Sequence, residues 1–454
     1  MNKIAIYQQL PNFIKSLLAS FYGMRLQKKR TYLRDTFEEI FKERASWNQA
    51  EYLNWQKNAV TEMLVYAAQK VPYYRNYWTG KDQSNIGDIN AWPILDKDIV
   101  RNHPTQFISD DFNIKDLSVM HTSGTSGKPM TIYLSKESFG LWYALYDLRI
   151  KKENGVDPFK DAYGTFAGQL ICAQNQTKAP FWVHNQLGKQ VYFSSYHLNE
   201  NNIQSYVKAM DDYKLTYLMG YTSALHSVVV LAKAQNIELP KLKLVITNAE
   251  PLFDHQRELI SAAFQCPVVQ TYSGCEYAFG GTEDLQKNMW LWPESGLLEV
   301  LTVDGNIQPY GQGAFLATGL VNKAMPLIRY KIGDSGTIED PEITKSIGNM
   351  LRLTSIDGRT DDLIKTPDGR LVGRLDPVFK ADFAIKEAQI IQEKLTLIIL
   401  KVVEDKNFNE AQKQELIARL KDRVGDAIEI QYQSVDSIAR NANGKFKAVI
   451  SMIN

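Results

Sequence analysis

The chain is poor in the residues that fix metals and cross-links. Its three cysteines, Cys172, Cys266 and Cys275, make neither a disulfide framework nor a zinc-type pair in 454 residues. The six histidines are scattered, with no two at metal-ligand spacing. No apolar run approaches the roughly 20 residues of a membrane span, and no repeat or low-complexity tract is visible. An excess of one charge is missing too. Lys and Arg number 52 against 51 Asp and Glu, a formal net charge of +1, which gives no global case for nucleic acid or an anionic membrane. These absences point to a reducing compartment, read as the cytoplasm.

What remains is an ordinary globular composition, 44% hydrophobic and 23% charged. The length suggests about two to three domains. Near the N-terminus, Leu17 to Tyr22 is a short apolar patch. Lys15 interrupts any longer hydrophobic region and no small-residue cleavage site is evident, so no signal peptide is expected here. A helix docked on its own domain is the expected reading, with membrane-surface association the secondary one.

Apolar spacings of three and four predict helices over Arg30–Lys42 and Gln49–Lys70, the second ending at Val71-Pro72. Lys136–Lys152 reads as another helix, and the aromatics of residues 47–78 as core. Strands are expected at Lys214–Met219, Leu242–Thr247 and Pro267–Tyr272, alternating with helices at Thr222–Ala234 and Phe253–Phe264. That alternation argues for parallel crossover units, with ligands beyond the carboxyl ends of the strands. Leu297–Glu339 has a β pattern, with a Gly333-Asp334-Ser335-Gly336 turn. A boundary near 357 divides a large domain, 1–357, from a small α+β domain, 358–454, that opens with a hairpin turning at Pro367-Asp368-Gly369. In the small domain's helix, Asp422 and Arg423 read as a solvated face.

The candidate chemistry lies between these elements. His121 to Thr131 packs hydroxyls, two glycines and Lys128 between two short strands. Gly124 and Gly127 permit sharp backbone turns, and Ser123, Thr125 and Ser126 add donors. The loop suits a polyphosphate, although a polar hairpin turn has the same composition. It is not the common ATPase loop, because two residues separate the glycines and Pro129 follows the lysine. Strand ends carry Tyr221 and Ser223, then Ala249-Glu250-Pro251, then Tyr272 and Glu276. Glu250 can serve as a helix cap; Glu276 has no evident helix to cap. In residues 153–200 a pocket wall and an irregular surface loop remain equal readings, with Trp182 and His184 as pocket candidates beside Tyr221 and Ser223.

In this order the motifs resemble the adenylate-forming superfamily of acyl-CoA synthetases, luciferases and adenylation domains. Val71-Pro72-Tyr73-Tyr74-Arg75, Met325-Pro326-Leu327-Ile328-Arg329-Tyr330 and Asn443-Gly444-Lys445-Phe446 resemble most the phenylacetate-CoA ligase branch and its CapK-like members associated with polysaccharide biosynthesis. The resemblance implies an α/β fold with a large N-terminal domain and a small mobile C-terminal one. It implies ATP and Mg²⁺ as cofactors, with CoA or an amine as acyl acceptor. Residues Ser123 to Lys128 would hold the β- and γ-phosphates. Ala249, Glu250 and Pro251 would flank the adenine and Tyr272 would stack on it. Glu276 would bind Mg²⁺, Asp334 the ribose hydroxyls with Arg359 nearby, and Asp361 would be the hinge. Lys445 would meet the carboxylate and α-phosphate. Cys275 departs from the family pattern, replacing a hydroxyl residue before Glu276, and reads as a small buried residue. His121 faces either the acid pocket or the core. Two other functions stay open: an adenylyl transferase that leaves AMP on its substrate, and a non-catalytic nucleotide-binding protein.

Overall fold

The computed structural model describes residues 7, 10–121, 130–173, 175–250, 252, 254–344, 350–356, 364–372, 375–379, 383–439 and 449–453. Helices α1 (Asn12–Arg30), α2 (Arg34–Arg44), α3 (Gln49–Lys70) and α4 (Pro72–Trp78) lead the chain. Asn48 and Glu51 form a reciprocal capping box at the start of α3. Extended Val71 ends α3, and Pro72 opens α4. Then come α5 (Lys97–Asn102), β1 (Ser118–His121), β2 (Thr131–Leu134) and α6 (Lys136–Leu145).

One large sheet follows. Its strands are β3 (Tyr163–Ala167), β4 (Trp182–Asn185), β5 (Gln190–Ser194), β6 (Tyr217–Tyr221), β7 (Leu244–Asn248), β8 (Val268–Ser273), β9 (Gly280–Glu283), β10 (Met289–Leu291), β11 (Gly296–Leu301), β12 (Ile307–Gln308), β13 (Gly311–Gly319), β14 (Tyr330–Ile338) and β15 (Arg352–Ile356). Their order is β12-β11-β13-β14-β15-β10-β9-β8-β7-β6-β3-β5-β4. The run β5-β3-β6-β7-β8 is parallel, and pairing turns antiparallel from β9 onward. Helices α7 (Ile203–Asp212), α8 (Thr222–Ala234) and α9 (Asp254–Phe264) flank the parallel run. Alternation divides its residues between two faces. Tyr217, Met219, Leu244 and Ile246 join one core, and Leu218 and Val245 the other. Cover on both faces explains the unbroken apolar runs.

A separate hydrophobic core gathers residues from Ile364 to Val449. It comprises the hairpin β16 (Ile364–Lys365) and β17 (Leu371–Val372), helix α10 (Glu410–Val424), and β18 (Ile385–Lys394), β19 (Leu397–Glu404), β20 (Glu429–Ser434) and β21 (Val449–Ser451) in the order β20-β19-β18-β21. Arg370 reaches across to the large sheet's domain, donating to the Tyr196 carbonyl at 2.6 Å. No helix among the described residues is long and apolar enough to cross a membrane.

Several local expectations change. The helix expected over Arg30–Lys42 is two helices broken at Thr31–Leu33. The α-helix expected to run to Lys152 stops at Leu145 and continues as a π-helix. That segment holds the buried pairs Lys151–Asp147 (2.7 Å) and Arg149–Glu294 (2.8 Å). Arg423 is not solvated. It is 5% exposed and sits over the Tyr196 ring. Residues 153–200 supply the strands β3, β4 and β5, joined by longer turns and irregular segments.

Helix α1 does dock on its own domain, but with its polar side inward. Asn12 Nδ2 donates to the Trp182 carbonyl at 2.7 Å. The Ser16 and Ser20 hydroxyls accept from the His184 and Gln186 amides at 3.2 and 3.0 Å. These bonds satisfy the outer edge of β4, the last strand of the sheet.

Candidate functional site

The polar loop lies on a two-stranded hairpin. β1 and β2 are antiparallel with His121 opposite Thr131, and the His121 ring is 3.4 Å from the Thr131 hydroxyl. Residues 122–129, including Ser123, Gly124, Thr125, Ser126, Gly127 and Lys128, lie outside the described residues. Met130, fully buried, closes the loop's far end.

Beside that end sits Glu276. It belongs to the turn Gly274–Phe279, which links β8 to antiparallel β9. Its carboxylate is buried, 7% exposed. The Tyr330 hydroxyl donates to Glu276 Oε1 at 3.2 Å and lies 3.8 Å from Met130 Sδ. Lys97 Nζ stands 3.7 Å from the same Oε1. A single backbone bridge brings these groups together. Leu95 pairs in parallel with Tyr330, its amide donating to the Arg329 carbonyl and its carbonyl accepting from the Lys331 amide, both at 3.0 Å. Lys97, two residues on, is thereby carried to the carboxylate.

Tyr272 and Asp334 form a second contact nearby. The Tyr272 hydroxyl donates to Asp334 Oδ2 at 3.1 Å, and both residues are half-buried. Asp334 does not occupy a turn, as its sequence suggests. It lies inside β14, where the register against β13 slips between Ala314–Ser335 and Leu316–Lys331. Two extra residues bulge from β14 there, and Gly333 at φ +93° supplies the left-handed backbone. The bulge re-aims Asp334 toward Tyr272.

The strand ends also gather. Tyr221, Asn248 and Thr271 are in register across β6, β7 and β8. Beyond them, Ala249 has a left-handed φ of +68°. Glu250 is a cap, but for a helix of the preceding crossover. Its Oε2 accepts from the Ser223 amide at 2.8 Å, and its Oε1 from the Ser223 hydroxyl at 3.1 Å, at the first turn of α8. Tyr221 and Ser223 line a narrow cleft together with Gly168, Tyr196 and Arg370.

Trp182 and His184 go elsewhere. Both lie on edge strand β4, with Trp182 Nε1 3.4 Å from the Tyr213 hydroxyl and the His184 ring 4.4 Å from the Tyr213 ring. Burial holds the His184 pKa below its ordinary value. Pro251, Arg359, Asp361 and Lys445 lie outside the described residues. Sequence reasoning missed Lys97, which carries no local motif, and gave no role to Met130 at the end of the His121–Thr131 stretch. Tyr330 stood in a stretch quoted for its resemblance, with no role attached.

Residues 364–452 match the CapK C-terminal domain. Protein CapK of Staphylococcus aureus is 27% identical, the match covering 99% of each chain. A phenylacetate-coenzyme A ligase of Aromatoleum evansii is 25% identical over 70% of each. Among solved structures, a 2-hydroxyisobutyryl-CoA ligase in complex with 2-HIB-AMP and CoA shares the fold at a TM-score of 0.56 and 16% identity, over 90% of this chain and 91% of that one. Over its whole length the chain is similar to CapK and over 70% of it to a phenylacetate-coenzyme A ligase, and its fold is that of a CoA ligase.

Proposed function

We propose that this protein uses ATP to convert a carboxylic acid into its acyl adenylate, releasing pyrophosphate, and then passes the acyl group to CoA or to an amine, releasing AMP. The observation that carries the reading is the meeting of Glu276, Tyr330 and Met130 at the base of the Ser/Thr/Gly hairpin, with the Tyr272–Asp334 pair beside it. The sugar of a cell-surface polysaccharide is the acceptor we favour for an amine-directed transfer.

The first step makes one bond and breaks another. A carboxylate oxygen attacks the α-phosphorus, and the bond to the pyrophosphate oxygen breaks. Both reactants are anionic, so the site must offset their repulsion and the charge building on the leaving group. Lys128, on the hairpin loop, and Lys445, near the C-terminus, are the cations we assign to that task. The loop from Ser123 to Gly127 would hold the departing phosphates. Ala249, Glu250 and Pro251 would border the base, with the Tyr272 ring against it. Asp334, held by the Tyr272 hydroxyl, would accept from the ribose, with Arg359 nearby.

Glu276 fits a Mg²⁺ ligand. It is one buried carboxylate, and among the described residues no cluster of three or more His, Cys, Asp or Glu forms a complete metal cage. Mg²⁺ characteristically takes one or two carboxylates and completes its shell with phosphate oxygens and water. Bound there, it would neutralise phosphate charge. Tyr330 and Lys97 orient the carboxylate that receives it.

We read residues 1–357 as the domain that binds ATP and the acid. Residues 358–454 are the small domain that brings Lys445 to the site and withdraws it, with Asp361 as hinge, so that the acceptor can enter. Screening acids for ATP–pyrophosphate exchange, with hydroxylamine trapping, tests the proposal. Exchange with hydroxamate formation supports it. A stable AMP adduct with no acyl transfer, or ATP binding with no exchange for any acid, overturns it. Lys445→Ala should abolish exchange while leaving ATP binding nearly intact.

A further inference from the structure

Helix α1 is amphipathic in reverse. A helix docked on a soluble domain normally turns its apolar stripe to the core and its polar face to water. Here Asn12, Ser16 and Ser20 face β4 and bond to it, and Lys15 is buried at 3% exposure. Gly23 lies against the Asn185 side chain, where a larger residue would clash. The opposite face carries Phe13, Leu17, Leu18, Phe21 and Tyr22, each between 47% and 68% exposed. Single exposed apolar residues are ordinary, but five large ones on one face of one helix form a contiguous patch.

Charge identifies what the patch meets. Arg25 and Lys28 follow Phe21 at i+4 and i+7, so they continue the same face, and both are exposed. Residues 1–34 contain seven Lys and Arg and no Asp or Glu. The whole chain has a net charge of +1, so the remaining 420 residues carry −6. The near-neutral total therefore conceals a basic N-terminal segment on an acidic body. Apolar side chains that enter the acyl region, with cations beside them at headgroup level, are the chemistry of an interfacial helix on an anionic bilayer. A two-fold contact with a second copy would set the patch against itself, and neither segment holds a carboxylate to pair with its cations.

We propose that the outward face of α1 docks this protein on an anionic lipid surface, with the helix lying in the interface and the polar face remaining bonded to β4. Flotation of the full chain tests this, using vesicles of phosphatidylcholine alone and of phosphatidylcholine with about one-third phosphatidylglycerol. The chain should float with the anionic vesicles and stay largely behind with the neutral ones. Leu17→Ser/Phe21→Ser and Arg25→Gln/Lys28→Gln should each lower the bound fraction by about tenfold, without changing the unfolding temperature, because the replaced side chains are in solvent. Phe21→Trp keeps the apolar face and should be quenched by brominated acyl chains. Failure to float with anionic vesicles, an unquenched Trp, or unchanged binding by Leu17→Ser/Phe21→Ser overturns the proposal. So does a dimer in lipid-free solution that the same variant dissolves, since a second copy would then cover the face.

Discussion

The Tyr330 hydroxyl stands between the end of the polar hairpin and the site carboxylate, 3.8 Å from Met130 Sδ and 3.2 Å from Glu276 Oε1. Tyr330→Phe keeps the buried ring and removes the hydroxyl that bonds Glu276. Loss of an outer partner of a metal-binding carboxylate typically weakens the metal by about 10-fold or more. The Mg²⁺ concentration needed for half-maximal pyrophosphate exchange should rise accordingly, with most of the rate recovered at saturating Mg²⁺. An unchanged Mg²⁺ dependence would remove Tyr330 from the site.

Gly274 leaves room for that carboxylate. A Cβ on residue 274 would collide with Glu276 Oε2 and come within 3.1 Å of the Phe279 ring. Gly274→Ala should therefore displace Glu276 while the strands on either side hold. A misplacement of this size commonly costs about 100-fold in rate. Exchange kinetics and circular dichroism on the same sample separate a displaced carboxylate from a misfolded chain.

Glu299 and Arg329 form a buried two-point ion pair, at 2.8 and 3.1 Å. Arg329 also donates to the Trp92 carbonyl at 3.3 Å and to Asn90 Oδ1 at 3.1 Å. Glu299→Ala strands a guanidinium 3% exposed. It should destabilise the protein by about 3–5 kcal/mol. Replacing both partners with apolar residues should cost less. Urea titration of the two variants orders them, and equal losses would contradict the assignment.

Burial pushes the Cys172 thiol up to about 11 and the Cys266 thiol up to about 12. Only the thiolate reacts, so both should resist iodoacetamide near pH 8, and their reactive fraction should rise about tenfold per pH unit. Cys275 is half-buried and next to Glu276. It should be alkylated first in the native protein, and peptide mapping reads the order. All three should react together in denaturant.

Much of this arrangement was legible in sequence because it rests on local periodicity. The short apolar run through Tyr217, Leu218 and Met219 marks β6, and the crossover pattern puts Tyr221 at a strand end and Glu250 and Glu276 past strand ends. Contacts between distant segments were not legible. Glu250 caps a helix through Ser223, 27 residues earlier, so the Pro251 beside it was a misleading cue. Lys97 reaches Glu276 only because Leu95 bridges to Tyr330. Gly333-Asp334 has the composition of a turn, and only its pairing with β13 makes it a bulge. The reversed helix was unreadable for a related reason. Periodicity marks an apolar face but does not say which way it points, and the serines that decide the matter bond to a strand far along the chain.

The largest core has a consequence for synthesis. It joins Val60 and Leu64 of α3 to Leu353 of β15. Helix α3 therefore waits for nearly 300 residues of chain before its apolar face is fully covered, about 15–60 s at ordinary translation rates. The last residues are different, since Ile364 to Val449 bury a core of their own. The ribosome thus delivers a long, slow-closing unit first and a quick-closing one last. Agents that hold exposed apolar surface during translation should engage the first unit far longer than the second.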